Sequence, residues 1–124
     1  MPAERGPHKR IMEIRHRAVN ADSVVLHIIG RFTLEDVRDY ESAFENSARG
    51  KSYVALNLAG LDYIDSSGIG SIIKTMNITK NANAEFILYD VNPTIFHIFK
   101  IAYLDKFFII LSKQDLVRKY PQFK

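Results

Sequence analysis

Cysteine and tryptophan are both missing from this 124-residue sequence, and the missing cysteine excludes more. Without a thiol there is no disulfide, no thiolate metal ligand and no cysteine nucleophile, which accords with a reducing compartment. Glycine (6) and proline (4) are sparse, so the chain is neither fibrous nor low-complexity. No apolar run approaches the ~18–20 residues that span a bilayer. The opening Met1-Pro-Ala-Glu-Arg-Gly-Pro-His-Lys-Arg10 lacks the apolar stretch of a secretory leader. A cytoplasmic chain with no membrane insertion is therefore expected. The four histidines, His8, His16, His27 and His97, are scattered rather than clustered with carboxylates, so no metal and no cofactor is expected.

What is present is the composition of an ordinary globular domain, 47% hydrophobic and 25% charged, which rules out a mainly disordered chain. The net charge of +3 invites a nucleic-acid reading. Much of the excess sits at the two ends, in Arg5, Lys9, Arg10, Arg15 and Arg17 and in Lys113, Arg118, Lys119 and Lys124. No nucleic-acid-binding motif accompanies it, so no direct nucleic-acid partner is expected.

Residues 1–10 have no periodicity and read as a flexible lead-in to one domain over 11–124. Met12, Ile14 and His16 alternate with Glu13, Arg15 and Arg17, the period of a half-exposed strand. Asn20-Ala21-Asp22 turns the chain into the β-branched run Ser23–Ile29, which Gly30 is expected to close. Thr33 and Asp36 resemble a capping box, and Leu34, Val37, Tyr40, Glu41 and Phe44 mark the core side of a first helix. Gly50 is its expected terminator. Tyr53–Leu58 reads as a buried strand, and a second helix runs from Ser66 or Ser67 to about Lys80 with Ile69, Ile72, Ile73 and Met76 inward. Glu85–Tyr89 is a further strand, and Thr94–Tyr103 a helix packed through Ile95, Ile98, Phe99 and Ala102. Phe107–Leu111 reads as the last strand, followed by a short helix from Lys113 that ends before Pro121. The order ββαβαβαβα predicts an α/β fold, a mixed, largely parallel sheet flanked by about four helices.

Chemistry concentrates in Asp65-Ser66-Ser67-Gly68-Ile69-Gly70. Asp65 is placed to cap the second helix, and Ser66 and Ser67 then stand at its positive end beside free N–H groups. A phosphate there would add about −1.5 to −2 charges where the helix tolerates them. Gly68 and Gly70 remove bulk, so another molecule could come close to the backbone.

In this context the sequence resembles the STAS domain of bacterial anti-sigma-factor antagonists. The resemblance rests on Asp65-Ser66-Ser67-Gly68-Ile69-Gly70 after Val54–Ile64, with Gly30-Arg31-Phe32-Thr33 and Leu88-Tyr89-Asp90-Val91-Asn92-Pro93 in register, and covers about residues 12–120. It implies partner switching. A serine-kinase anti-sigma factor binds the unphosphorylated antagonist and phosphorylates the hydroxyl after the motif aspartate, and a phosphatase resets it. Here that hydroxyl is Ser66, with Ser67 the runner-up. The partner surface it implies takes in Asp65, Ser66, Ser67, Gly68 and Gly70 together with Arg31 and Thr33, in a monomer or weak homodimer. Where many antagonists carry Gly-Glu-Leu-Asp, this chain has Arg31 for the acid and Thr33 for the aspartate.

Two other function classes bear on the same turn. A serine hydrolase needs a base and an oxyanion site, and no Gly-x-Ser-x-Gly elbow is present, so no catalytic residue is expected. A nucleotide-binding module would use the helix start, yet both the phosphate-binding loop and the three-glycine dinucleotide turn are missing. A STAS module of another signalling or lipid-transport complex shares the fold and differs in its partner.

Overall fold

The computed structural model describes residues 11–124, so the expected lead-in over 1–10 lies outside the described residues. The chain starts with a hairpin, β1 (Glu13–Asn20) and β2 (Ser23–Phe32), paired antiparallel from Glu13↔Ile29 to Asn20↔Ser23. A 3-10 turn (Leu34–Asp36) leads into α1 (Val37–Ala48), followed by β3 (Tyr53–Asn57) and β4 (Leu61–Ile64). Then come α2 (Ser66–Asn81), β5 (Glu85–Tyr89), α3 (Pro93–Ile101), β6 (Ile109–Leu111) and α4 (Lys113–Lys119), with a final 3-10 turn at Pro121–Phe123.

The six strands form one sheet in the order β1-β2-β3-β5-β6, with β4 also paired to β2. All pairs but the first hairpin are parallel. Both faces of the central strands are covered. Val24, Leu26, Ile28, Val54, Leu56, Phe86 and Leu88 pack under α1, α2 and α3 with Tyr40, Phe44, Ile72, Met76, Ile95 and Phe99. On the other face Val25, Ala55, Ile87 and Tyr89 meet Leu116, Tyr120 and Phe123. Two-sided burial is why β2, β3 and β5 read as nearly unbroken apolar runs.

Polar groups join α1 to α2 where an apolar stripe alone would leave gaps. The Tyr40 hydroxyl and Thr75 Oγ1 lie 2.8 Å apart in the core. Burial pushes the Tyr40 phenol well above its ordinary pKa. Glu41, the polar member of the α1 stripe, accepts from Ser71 Oγ at 2.7 Å and from Lys74 Nζ at 2.9 Å. The Lys74 contact first, then Ser71, holds its carboxyl below the usual carboxylate range.

Several local expectations are corrected. Gly30 does not end β2. It sits inside the strand at φ +93°, where a Cβ would lie 2.2 Å from the Ile11 carbonyl oxygen, and the strand continues to Phe32. That extension gives β4 a partner, a strand absent from the expected order, with Gly30, Arg31 and Phe32 opposite Leu61, Tyr63 and Ile64. Phe107 and Phe108 precede β6 instead of belonging to it, because both amides turn back to donate to the Leu104 carbonyl. Pro93 opens α3, which stops at Ile101, and Ala102 is exposed. Leu34 is 68% exposed, since it lies in the 3-10 turn and not in α1. At three residues per turn, that segment falls out of phase with the α-helical stripe after it.

Candidate functional site

The paired ends of β2 and β4 bring two chain reversals side by side. Arg31 lies opposite Tyr63 and Phe32 opposite Ile64, so Thr33 and Asp65 are the next residues out from the sheet. The Asp65 amide donates to the Phe32 carbonyl at 3.2 Å, extending this pairing by one residue.

Asp65 then caps two segments at once. Its backbone is extended (φ −102°, ψ −179°), as an N-cap requires. Oδ1 accepts from the Gly68 N–H at 2.9 Å, closing the first turn of α2. Oδ2 accepts from the Leu34 N–H at 3.1 Å, at the start of the 3-10 turn, thirty-one residues earlier in the chain. One carboxylate thus ties both starts together. Thr33 is held by the expected acidic partner: Asp36 Oδ2 accepts from its N–H at 2.9 Å and lies 3.1 Å from its hydroxyl.

Ser66 is the first residue of α2 and is exposed, whereas Ser67 is half-buried. The two glycines differ in role. A Cβ on Gly68 would lie 2.6 Å from the Phe32 carbonyl oxygen and 2.8 Å from Ile64 Cγ1, while one on Gly70 would meet nothing within 4 Å. Gly68 lets α2 sit down on the β2–β4 end, and Gly70 leaves open surface. Gly70→Ala is expected to raise the unfolding free energy by about 1 kcal/mol through helix propensity. Gly68→Ala is expected to lower it by about 1–2 kcal/mol, overpacking outweighing the same gain. Melting temperatures that moved in the same direction would contradict this division.

Arg31 belongs to the same end, its Nη2 3.2 Å from Glu35 Oε1, and its Nε is buried without a hydrogen-bond partner among the described residues. Sequence reasoning missed two neighbours. The helical spacing puts Leu34 on the core side, and the sequence assigns no outward role to Tyr63, 54% exposed, because its pattern does not reveal β4. The signal available for Tyr63 was the pair Leu61 and Ile64, both buried, with Asp62 and Tyr63 outward between them.

Among the described residues no histidine hydrogen-bonds to Ser66 or Ser67. His27 lies in β2 opposite Arg15, and its imidazole is held below its ordinary pKa by burial first, then by Arg17, Arg15 and Lys113. Among the described residues no group of three histidine, aspartate or glutamate side chains could hold a metal ion, and no helix is long and apolar enough to cross a membrane. A groove of about 660 Å³ between α1 and α2 is lined by Phe44, Val54, Ile78 and Thr79 among others, and by none of residues 65–70.

Comparisons with known proteins bear on the fold. A family model described as STAS domain matches residues 11–116. The unphosphorylated form of the anti-sigma factor antagonist SpoIIAA superposes with a TM-score of 0.67 at 19% identity, covering 86% of this chain and 95% of that one. The phosphorylated form of the Bacillus cell fate determinant SpoIIAA gives 0.66 at 17% identity, over 86% and 98%. An anti-sigma factor antagonist from Mycobacterium paratuberculosis gives 0.67 at 15% identity, over 86% and 88%. At these identities the likeness is one of fold.

Proposed function

The chain belongs to the STAS domain family, and from that premise we propose that it is a non-catalytic, cytoplasmic anti-sigma-factor antagonist that works by partner switching. Its partners are a serine-kinase anti-sigma factor and a phosphatase. The observation that carries this reading is the exposed Ser66 at the first position of α2, behind an aspartate that fixes the turn from both sides.

The physical argument runs through where a phosphate would act. At Ser66 it would sit on the positive end of α2, so the dipole offsets part of its repulsion from Asp65 and the fold is little affected. Recognition is different. Leu34 and Tyr63 are exposed apolar side chains beside the turn, and Arg31 Nε is buried without a hydrogen-bond partner among the described residues. These supply what a partner buries at the centre of an interface, with Thr33, Ser67 and Gly70 around it. A doubly charged group set among them must be desolvated or repelled on docking. Structures of this fold in SpoIIAA, one unphosphorylated and one phosphorylated, support reading a phosphorylation switch on this scaffold.

The test is binding and labelling with the cognate kinase. Ser66→Asp is expected to weaken partner binding at least about tenfold, roughly 1.4 kcal/mol, with an unchanged melting temperature. Ser66→Ala is expected to abolish phosphorylation. A phosphate mapped to Ser67 alone would move the site, and full-affinity binding by Ser66→Asp would count against the switch.

A further inference from the structure

Cations from the two ends of the sequence are brought together by the sheet. Arg15 on β1 lies opposite His27 on β2, His27 opposite Asn57 on β3, and Asn57 opposite Tyr89 on β5. The row lies on the face away from α2, since Val25, Ala55 and Ile87, two positions along the same strands, belong to the cluster beneath α4. Arg17, opposite Val25, shares that face. The cover of α4 stops short of His27 and Asn57, which stay half-buried. At its border stands Lys113, the first residue of α4, whose N–H donates to Asp90 Oδ1 at 2.8 Å, one residue past Tyr89.

The charges along this row are unequal in their partners. Arg15 is paired, its Nε 2.6 Å from Glu13 Oε2. The Arg17 and Lys113 side chains make no ion pair among the described residues, and Asp90 accepts from the Lys113 backbone rather than from its ammonium. His27 registers the result. After burial, Arg17, Arg15 and Lys113 hold its imidazole below its ordinary pKa, and only a hydrogen bond with Asn57 opposes them. Asn57 is itself fixed, its Oδ1 accepting from the Ala59 N–H at 3.0 Å, so its amide adds donors at a set place in the row.

We infer that Arg17, His27, Asn57 and Lys113 form a binding site for a phosphate dianion, either inorganic phosphate or the phosphoryl end of a small phosphomonoester. The charge decides the class. Two cations without an acid match a group that carries about −1.5 to −2 charges at neutral pH, whereas a carboxylate would leave one of them uncompensated. Arginine and lysine on long stems can close on such a group from β1 and from α4, with charge-assisted hydrogen bonds. The field is local, because Arg15 is paired with Glu13 and Arg118 with Asp115, so it suits one anionic group better than a polyanion. His27 lies well before Phe32, the last residue of β2, and on the face opposite α2, so the site is separate from the Ser66 turn.

Amide NMR of the full chain, titrated with inorganic phosphate at constant ionic strength, tests this. Saturable shifts at His27 and Asn57 are expected, with a Kd of about 1 mM or tighter. Arg17→Gln and Lys113→Gln are each expected to weaken binding at least about tenfold, with an unchanged melting temperature because both side chains are exposed. Lys100→Gln, an equal loss of charge on α3 at the other face, is expected to leave the affinity unchanged. Acetate, a monoanion, is expected to bind at least about tenfold more weakly than phosphate. Glycerol phosphate identifies the source: tighter binding than inorganic phosphate assigns the ester, and weaker binding the free ion. The inference is overturned by the absence of saturable shifts at these residues, or by full affinity in either row variant. Acetate binding as tightly as phosphate, or Lys100→Gln weakening it as much as Arg17→Gln does, would overturn it too.

Discussion

Ile72→Ala is expected to lower the unfolding free energy by about 2–5 kcal/mol, the range for deleting a buried aliphatic side chain and leaving a cavity. Ile72 is fully buried in α2 and lies among the residues packed over β2, β3 and β5. The site can collapse only a little, because Tyr40 and Thr75 hold α1 to α2 by a buried hydrogen bond close by. Ile73, one residue on, is only partly buried, and its replacement by alanine is expected to cost distinctly less. Urea unfolding of the two variants with equal slopes would measure the difference directly. Equal losses, or none at Ile72, would mean that α2 is rotated from the orientation described. That orientation is also what turns Ser66 outward, so the stability of Ile72→Ala bears on the site.

Asp65→Ala is expected to cost about 1–4 kcal/mol, because it removes two caps worth about 0.5–2 kcal/mol each. The Gly68 and Leu34 N–H groups both lose their acceptor. Asp65→Asn separates capping from charge. An amide has one acceptor oxygen, so it can serve Gly68 or Leu34 but not both, and an intermediate loss is expected. A variant as stable as wild type would show that the second cap contributes nothing. The same substitutions are expected to loosen the turn that presents Ser66, lowering partner affinity even where the serine itself is untouched.

Much of this organisation could be read from the residues. The apolar period of Ile69, Ile72, Ile73 and Met76 placed α2 and its inner face. The Asp65 cap followed from an N-cap residue ahead of that period. The runs at Val24–Ile28, Val54–Leu58 and Phe86–Tyr89 could be read as central strands because a parallel sheet covered on both faces needs no alternation. Where the reading failed, the deciding contact lay far away in the chain. Gly30 looks like a strand end, yet the close passage of Ile11 is what requires it. Leu61–Ile64 is too short to declare itself and becomes a strand only because β2 extends past β3 to meet it.

The candidate site divides in the same way. That a capped helix begins at Asp65 with two serines at its positive end is local chemistry, written in six consecutive residues, and so is the resemblance that points to Ser66. Which serine is exposed, which glycine is structural, and that Asp65 also holds Leu34 were decided by tertiary structure. Each depends on β2 and β4 lying side by side, which places Phe32 against Gly68 and the 3-10 turn against the Asp65 carboxylate. Hydrogen bonds and hydrophobic periods within a helix span three or four positions and leave their mark in sequence. A contact across thirty-one positions leaves none until the sheet has formed.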